Sequence, residues 1–312
     1  FEDFCNGVYR KIGFKHFLAK AIFPKKLYER EYRRCFGDVE FDYVIDFSGY
    51  SSFFAALLLQ AKNAKKIIWQ HSDMKAEIQT RNKLHGNNIK VNLTLIPYYD
   101  KIVSATKEVM EVNVKNFATE KTKDKFTYCT NLFDATRVQE TLKDIEHNIV
   151  DINTEQYISS VVEDVGDAVL ISSPIPIDNN KVNFVTMGRM SPEKNHFNLI
   201  EGFSRIYEGN PDCRLYIIGD GPLRTKTKKA IASMGLSDVI HLTGNLSNPF
   251  PLMSLCDCFV FPSLYEAQGL VVLEARMLGL PIILSDFDAA PSVMMENGQL
   301  LIGKDSDDIY EG

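Results

Sequence analysis

A parallel α/β fold in two domains is predicted by three features of the sequence. Short β-branched runs alternate along the chain with amphipathic stretches, which is the pattern of strands connected by crossover helices. The 312 residues, 45% of them hydrophobic, are enough for two cores of ordinary size. Between the halves, residues 135–181 are acidic, poor in periodicity, and close on Ser172-Ser173-Pro174-Ile175-Pro176, as an interdomain linker would. The expected domains are therefore 1–135, a linker or insertion at 136–181, and 182–312.

The elements follow in order. Residues 1–36 read as helical and basic. Tyr43-Val44-Ile45-Asp46-Phe47 has strand composition, Ser52 to Ala61 is an apolar helix, and Lys66-Ile67-Ile68-Trp69 and Lys101-Ile102-Val103-Ser104 are further strands. The second half is cleaner, with strands predicted at 182–187, 214–218, 238–242, 257–261 and 281–284. Helices are expected near 195–208, 222–234, 249–255 and 269–278, which makes one doubly wound sheet.

Composition excludes several classes. A net charge of −6 argues against nucleic acid as the main partner, because phosphate-backbone binding needs a dominant basic face. No apolar run reaches the ~18 residues of a spanning helix, and the Phe1 start shows no signal peptide. Cys5, Cys35, Cys129, Cys213, Cys256 and Cys258 lack the spacing of a zinc site or a disulfide framework, so they read as reduced thiols of a cytoplasmic protein.

The stretch "LYEAQGLVVLEA", 264–275, carries chemistry between a strand and a helix. A helix opening at Gly269 directs free N–H groups and the positive end of its dipole at whatever lies above it, which suits a diphosphate. Glu274 lies roughly 7.5 Å further along at 1.5 Å per residue, placed for a ribose, and Glu266 precedes the helix and would reach the group beyond the phosphates. The same spacing also suits a surface glutamate and a helix-facing charge. A second motif, "FVTMGRMSPEKNHFNLIEGF", 184–203, puts Arg189 and Lys194 in a loop after a strand, where two cations can neutralise a pyrophosphate. "IIGDGPL", 217–223, is a third strand-to-helix loop, weak on its own because it lacks three spaced glycines.

"GRMSPEKN", "IIGDGP", "LTGN" and "FPSLYEAQGLVVLEARMLGLPII" resemble, in order and spacing, the retaining glycosyltransferases of family 4, from Asn183 to Gly303. The resemblance implies the GT-B fold of two facing Rossmann-like domains with parallel sheets, apparently cut short at both ends, with the final helices lacking. It implies that Arg189 and Lys194 bind the donor diphosphate together with the amides of Gln268, Gly269 and Leu270, that Glu274 binds the ribose, and that Asn245 and Leu246 meet the base. Glu266 would contact the donor sugar and is a candidate catalytic residue. His71, in "IIWQHSDM", is the second, matching a histidine the family often carries at a strand end of the acceptor domain. "TNLFD", 130–134, looks like the segment that closes that domain, and Tyr50 is a candidate for the lining of the acceptor cleft, not one of the assigned site residues. Two departures stand out: Ala267-Gln268 replaces the commoner Gly-Phe, and Pro291-Ser292 stands where many members have Pro-Glu.

The reaction so implied moves a hexose or N-acetylhexosamine with retention from a nucleotide-diphosphate sugar, UDP-linked among the options, to a glycan, lipid-linked or polyol-phosphate acceptor, as in cell-envelope or teichoic-acid-type synthesis. No cofactor and no metal are expected, since two cations and a helix N-terminus can hold the leaving charge; Asp286-Phe287-Asp288 reads as a loop. A sugar-nucleotide epimerase of the same shape, a non-catalytic nucleotide-sugar-binding fragment, and a phosphorylase remain as alternatives, the last without an identifiable pyridoxal lysine. Residues 1–36 hold nine basic side chains (Arg10, Lys11, Lys15, Lys20, Lys25, Lys26, Arg30, Arg33, Arg34) against four acidic ones (Glu2, Asp3, Glu29, Glu31). Two readings stay open for them: peripheral attraction of a cytoplasmic protein to an anionic inner-membrane face, and a helix that packs its apolar side and solvates the rest.

Overall fold

The computed structural model describes residues 25–80, 83–141, 149–151, 162–165, 168–171, 175–294 and 298–312. The chain divides into two compact units, Phe1–Thr130 and Asn131–Gly312. The expectation for residues 1–24 lies outside the described residues; Lys25–Phe36 is a helix, α1.

In the first unit, β1 (Tyr43–Asp46), β2 (Lys65–Gln70), β3 (Lys101–Ser104) and β4 (Phe126–Tyr128) form a parallel sheet in that spatial order. Ser51 caps the next helix, α2 (Ser52–Leu58), by accepting from the Phe54 amide. α2 stops three residues short of the predicted end, and the chain turns through Asn63 at φ 60° to enter β2. α3 (Met74–Thr80) and α4 (Lys83–Leu95) follow, then α5 (Lys107–Phe117), capped by Thr106. The segment 83–95 is rich in asparagine and β-branched residues, poor helix formers. Burial of Gly86, Ile89 and Asn92 along one face accounts for its folding as α4. Ala55, Ile68, Ile96, Tyr99 and Ile102 make the core beneath this sheet.

The second unit begins with α6 (Ala135–Thr141), β5 (Ile149–Asp151), β6 (Val162–Val165), β7 (Ala168–Ile171) and β8 (Ile175–Ile177). β5 pairs with β8 in parallel and β6 with β7 antiparallel. Its main sheet takes β9 (Val182–Met187), β10 (Cys213–Ile218), β11 (Ile240–Gly244), β12 (Cys258–Phe261), β13 (Ile282–Ser285) and β14 (Gln299–Ile302), all parallel, in the order β11-β10-β9-β12-β13-β14. The connections include α7 (His196–Gly209), α8 (Arg224–Ser233), α9 (Phe250–Ser254) and α10 (Leu270–Met277); α11 (Ser306–Glu311) follows β14 and packs on α7. β14 and α11 extend the sheet past the last element read from the sequence. Continuous apolar strands such as Leu215-Tyr216-Ile217-Ile218 are buried on both faces, which is what parallel strands covered by helices require.

Two histidines, His196 buried and His241 half-buried, give this unit a pH dependence. His196, 3% exposed at the start of α7, has its pKa pushed down to about 4, chiefly by burial and then by Lys194. His241 on β11 is pushed to about 4 by burial and Arg214. The unfolded chain takes up these protons near pH 6.5 and the folded one does not, so their stabilisation is complete above pH 6.5 and is lost as pH falls towards 4. Each unit of depression is worth about 1.4 kcal/mol. The urea midpoint is expected to fall across that window and to fall less steeply in His196→Asn; identical slopes in both proteins would count against this origin.

Candidate functional site

Strand order reverses between β9 and β12, because β10 and β11 extend the sheet on one side and β13 and β14 on the other. Loops leaving the carboxyl ends of these neighbours part in opposite directions and leave a crevice, the usual ligand position in an open α/β sheet. Arg189 and Lys194 lie in the loop after β9, and Glu266 in the loop after β12. The loops are tied to one another. Gly188 N–H donates to the Ile218 carbonyl at 2.9 Å, Met190 N–H to that of Asp220 at 2.9 Å, and Leu264 N–H to that of Glu193 at 2.8 Å. Ser191 Oγ donates to Glu193 Oε1 at 2.6 Å inside the first loop.

The structure joins two of the expected residues directly. Lys194 Nζ forms an ion pair and hydrogen bond with Glu266 Oε1 across the switch point, and their side chains are only 18% and 13% exposed. The ammonium also sits 5.3 Å above the centre of the Phe261 ring. The sequence places the lysine on phosphates and the glutamate on a sugar; the structure pairs them with each other.

Beside this pair is a cavity of about 580 Å³ lined by Met187, Gly188, Arg189, Gly219, Asp220, Asn245, Leu246 and Pro249, among others. Arg189, Asn245 and Leu246, assigned from sequence to diphosphate and base, thus share one chamber. The loop after β10, "GDGP", proves to be its wall. Gly219 has φ +124°, and a Cβ there would lie 2.3 Å from the Gly188 carbonyl oxygen, so only glycine lets β9 and β10 loops come this close. Asp220 Oδ1 accepts from the Gly221 amide at 2.6 Å, and its other oxygen is 3.7 Å from Arg224.

α10 opens as expected. Gly269 is its N-cap, left-handed at φ 74° with no side-chain cap, so the helix start carries amides and no competing side chain. Leu270 begins the helix and Glu274 lies half-buried within it. Gln268 has a role the sequence did not show: it is 7% exposed, and its Oε1 accepts from the Asn131 amide at 3.0 Å. With α6 packed on α10, this bond fastens the "TNLFD" segment to the loop that enters α10.

In the first unit, His71 follows β2 and is half-buried in an aromatic group: Phe47 meets it edge-on at 4.8 Å, with Tyr50 at 6.2 Å and Trp69 at 6.4 Å. Tyr50 OH hydrogen-bonds Ser72 Oγ at 3.1 Å, which donates to Glu77 Oε1 at 3.0 Å, and Glu77 Oε2 meets His85 Nε2 at 3.1 Å. Asp46, Gln70 and Ser104, at the carboxyl ends of β1, β2 and β3, are all buried, and Asp46 Oδ2, Gln70 Oε1 and Ser104 Oγ have no hydrogen-bond partner. Burial raises the Asp46 pKa, against the lowering effects of the Gly49 and Ser48 amides and of His71. Polar groups are thus concentrated at the same end of the sheet as in the second unit.

Comparison with known proteins agrees with this geometry. Residues 170–311 match the family described as "Glycosyl transferases group 1". The chain is 37% identical over 108 residues to an uncharacterised glycosyltransferase of Methanocaldococcus jannaschii, covering 35% of this chain and 27% of that protein. It is 34% identical over 115 residues to the Escherichia coli UDP-Gal:alpha-D-GlcNAc-diphosphoundecaprenol alpha-1,3-galactosyltransferase, covering 36% and 30%. These alignments span less than a third of either relative. Among solved structures, Anabaena Alr3699/HepE in complex with UDP and glucose superposes with a TM-score of 0.64 at 14% identity, over 92% of this chain and 70% of that one. The architecture is therefore the two-domain GT-B fold. Within that fold, residues 170–311 resemble the group 1 glycosyl transferases.

Proposed function

We propose that this chain is a retaining hexosyltransferase of the family 4 type. It takes a hexose or N-acetylhexosamine from a UDP-sugar and transfers it to a glycan, lipid-linked or polyol-phosphate acceptor. The observation that carries the reading is the Lys194–Glu266 pair astride the switch point, beside a cavity bearing Arg189 and next to the open N-terminus of α10. Departure of a nucleoside diphosphate builds negative charge on the leaving oxygens. Arg189, Lys194 and the amides of Gln268, Gly269 and Leu270 are pre-arranged positive groups for that charge. Asn245 and Leu246 receive the base, Glu274 the ribose and Glu266 the sugar; His71 is proposed as a ligand contact. Retention is proposed through front-face attack, with the leaving phosphate accepting the acceptor's proton. The UDP and sugar in the names of the relatives support this donor class.

The site is proposed to work without a divalent cation; donor turnover is expected to persist in excess chelator, and an absolute requirement for added Mg²⁺ or Mn²⁺ would overturn that statement. For location we propose a cytoplasmic protein held peripherally at the inner membrane face. Among the described residues no helix is long and apolar enough to cross a membrane.

The deciding experiment incubates the chain with UDP-glucose, UDP-galactose, UDP-N-acetylglucosamine and GDP-mannose, follows nucleoside diphosphate release, and reads the anomeric configuration of the product by NMR. An inverted product, or release from none of the four, contradicts the proposal. The two glutamates should separate kinetically. Glu274→Gln removes a ribose contact and is expected to weaken UDP binding by about tenfold, the value of one charge-assisted hydrogen bond. Glu266→Gln should lower kcat while leaving UDP affinity intact or higher, because it frees Lys194 for the phosphates. Equal losses of UDP affinity in both would contradict these roles.

A further inference from the structure

The turn after β1 and the histidine after β2 form one small assembly. Asp46 is 3% exposed, and its Oδ1 accepts the Gly49 amide at 3.0 Å. Gly49 has φ +66°, and a Cβ there would lie 1.8 Å from the Trp69 carbonyl oxygen, so this turn is pressed onto β2. The Gly49 carbonyl accepts from Asn92 Nδ2 of α4 at 2.8 Å. The turn is thus held by a carboxylate, by a neighbouring strand and by a helix. Its Phe47 carbonyl is hydrogen-bonded to His71 Nε2. A carbonyl oxygen can only accept, so Nε2 carries the proton in every ionisation state compatible with this contact. The rings of Phe47, Tyr50 and Trp69 around the imidazole hold its plane.

We infer that Asp46 is a positioning residue: by holding the 46–49 turn it fixes His71 as the Nε2–H tautomer and makes Nδ1 the ring nitrogen that meets a sugar hydroxyl. This rests on the reading of His71 as a ligand contact. Neutral His71 then accepts a hydrogen bond from the hydroxyl at Nδ1, and protonated His71 donates one; in neither state does Nε2 serve the ligand.

Two measurements test it separately. The first is the ¹⁵N–¹H spectrum of histidine-labelled chain, with His71 assigned by the signal lost in His71→Asn. Wild type is expected to show protonated Nε2 and bare Nδ1 at alkaline pH; Asp46→Asn, which keeps the Oδ1 acceptor, should do the same. Asp46→Ala should show mixed tautomers, and so should Asp46→Glu, which keeps the charge but shifts the acceptor by one methylene and serves if the alanine variant does not fold. A wild-type Nδ1–H tautomer, or an unchanged tautomer in whichever of Asp46→Ala and Asp46→Glu folds, overturns the inference.

The second is nucleoside diphosphate release from whichever of the four donors above is turned over fastest. His71→Asn places an amide near the Nδ1 position and His71→Gln one near Nε2, so the Asn variant should retain at least tenfold more kcat than the Gln variant. Asp46→Ala should lose tenfold or more in kcat with donor KM within twofold, and Asp46→Asn should stay within threefold of wild type. The reverse order of the two His71 variants overturns the inference. If His71→Asn, His71→Gln and His71→Ala all match wild type, the assignment of His71 as a ligand contact fails, whatever the tautomer shown by the spectrum.

Discussion

Lys194→Ala is expected to raise the Kd for UDP by roughly tenfold to a hundredfold, the effect of losing a charge-assisted contact worth about 1.5–3 kcal/mol. The variant also strands Glu266. That carboxylate is 13% exposed and bonded to the lysine, so removing the lysine leaves a largely desolvated charge facing the phosphates it would then repel. Breaking a buried pair from one side typically costs about 3–5 kcal/mol; partial exposure of both side chains places this one below that range. The double variant Lys194→Ala/Glu266→Gln should therefore recover part of the lost stability, and part of the lost UDP affinity, while remaining slow in transfer. Calorimetric titration of UDP into the three proteins reads this directly. A double variant as weak in binding as the single one would show that the pair is not coupled to the phosphates.

Gly219→Ala is expected to have the second large effect, on fold and binding together. The added Cβ would stand 2.3 Å from the Gly188 carbonyl oxygen, which is backbone and has no flexible end to move aside, and φ is +124°. Gly219 N–H also donates to the Gly244 carbonyl at 2.8 Å, so pushing the loop away breaks the link from β10 to β11. Strain of this kind costs about 1–3 kcal/mol before any clash is relieved, and a domain of this size loses about 2–4 °C in Tm per kcal/mol. Thermal unfolding should show a drop of roughly 5–10 °C, with UDP affinity lost because the cavity wall has moved. A variant with wild-type Tm and wild-type UDP affinity would mean that the close approach of the two loops is not needed.

Much of this was legible along the chain. Runs such as Phe184-Val185-Thr186-Met187 and Phe259-Val260-Phe261 are apolar on both faces, so parallel strands could be read from them, and the loops after them carried their cations and carboxylates in plain view. What stayed hidden needed a second segment. Lys194 and Glu266 pair across 72 positions, and no local pattern announces such a contact. Gln268 read as a main-chain contributor because its side-chain partner, Asn131, lies 137 positions away. "IIGDGPL" looked weak by glycine count; its importance is the approach of Gly219 to Gly188, a distance between loops. Asp46 read as an ordinary strand residue, since only the fold reveals that it holds the turn whose carbonyl meets His71. α4 was missed because its composition opposes the helix that tertiary burial imposes.

The crevice between β9 and β12 is proposed to hold a nucleoside diphosphate. A crystal structure of the chain grown with UDP tests it most directly. The diphosphate is expected within hydrogen-bond reach of Arg189, Lys194 and the Gly269 and Leu270 amides, the ribose on Glu274 and the base against Asn245 and Leu246. UDP ordered elsewhere on the chain, or bound with its phosphates away from Arg189 and Lys194, would contradict it.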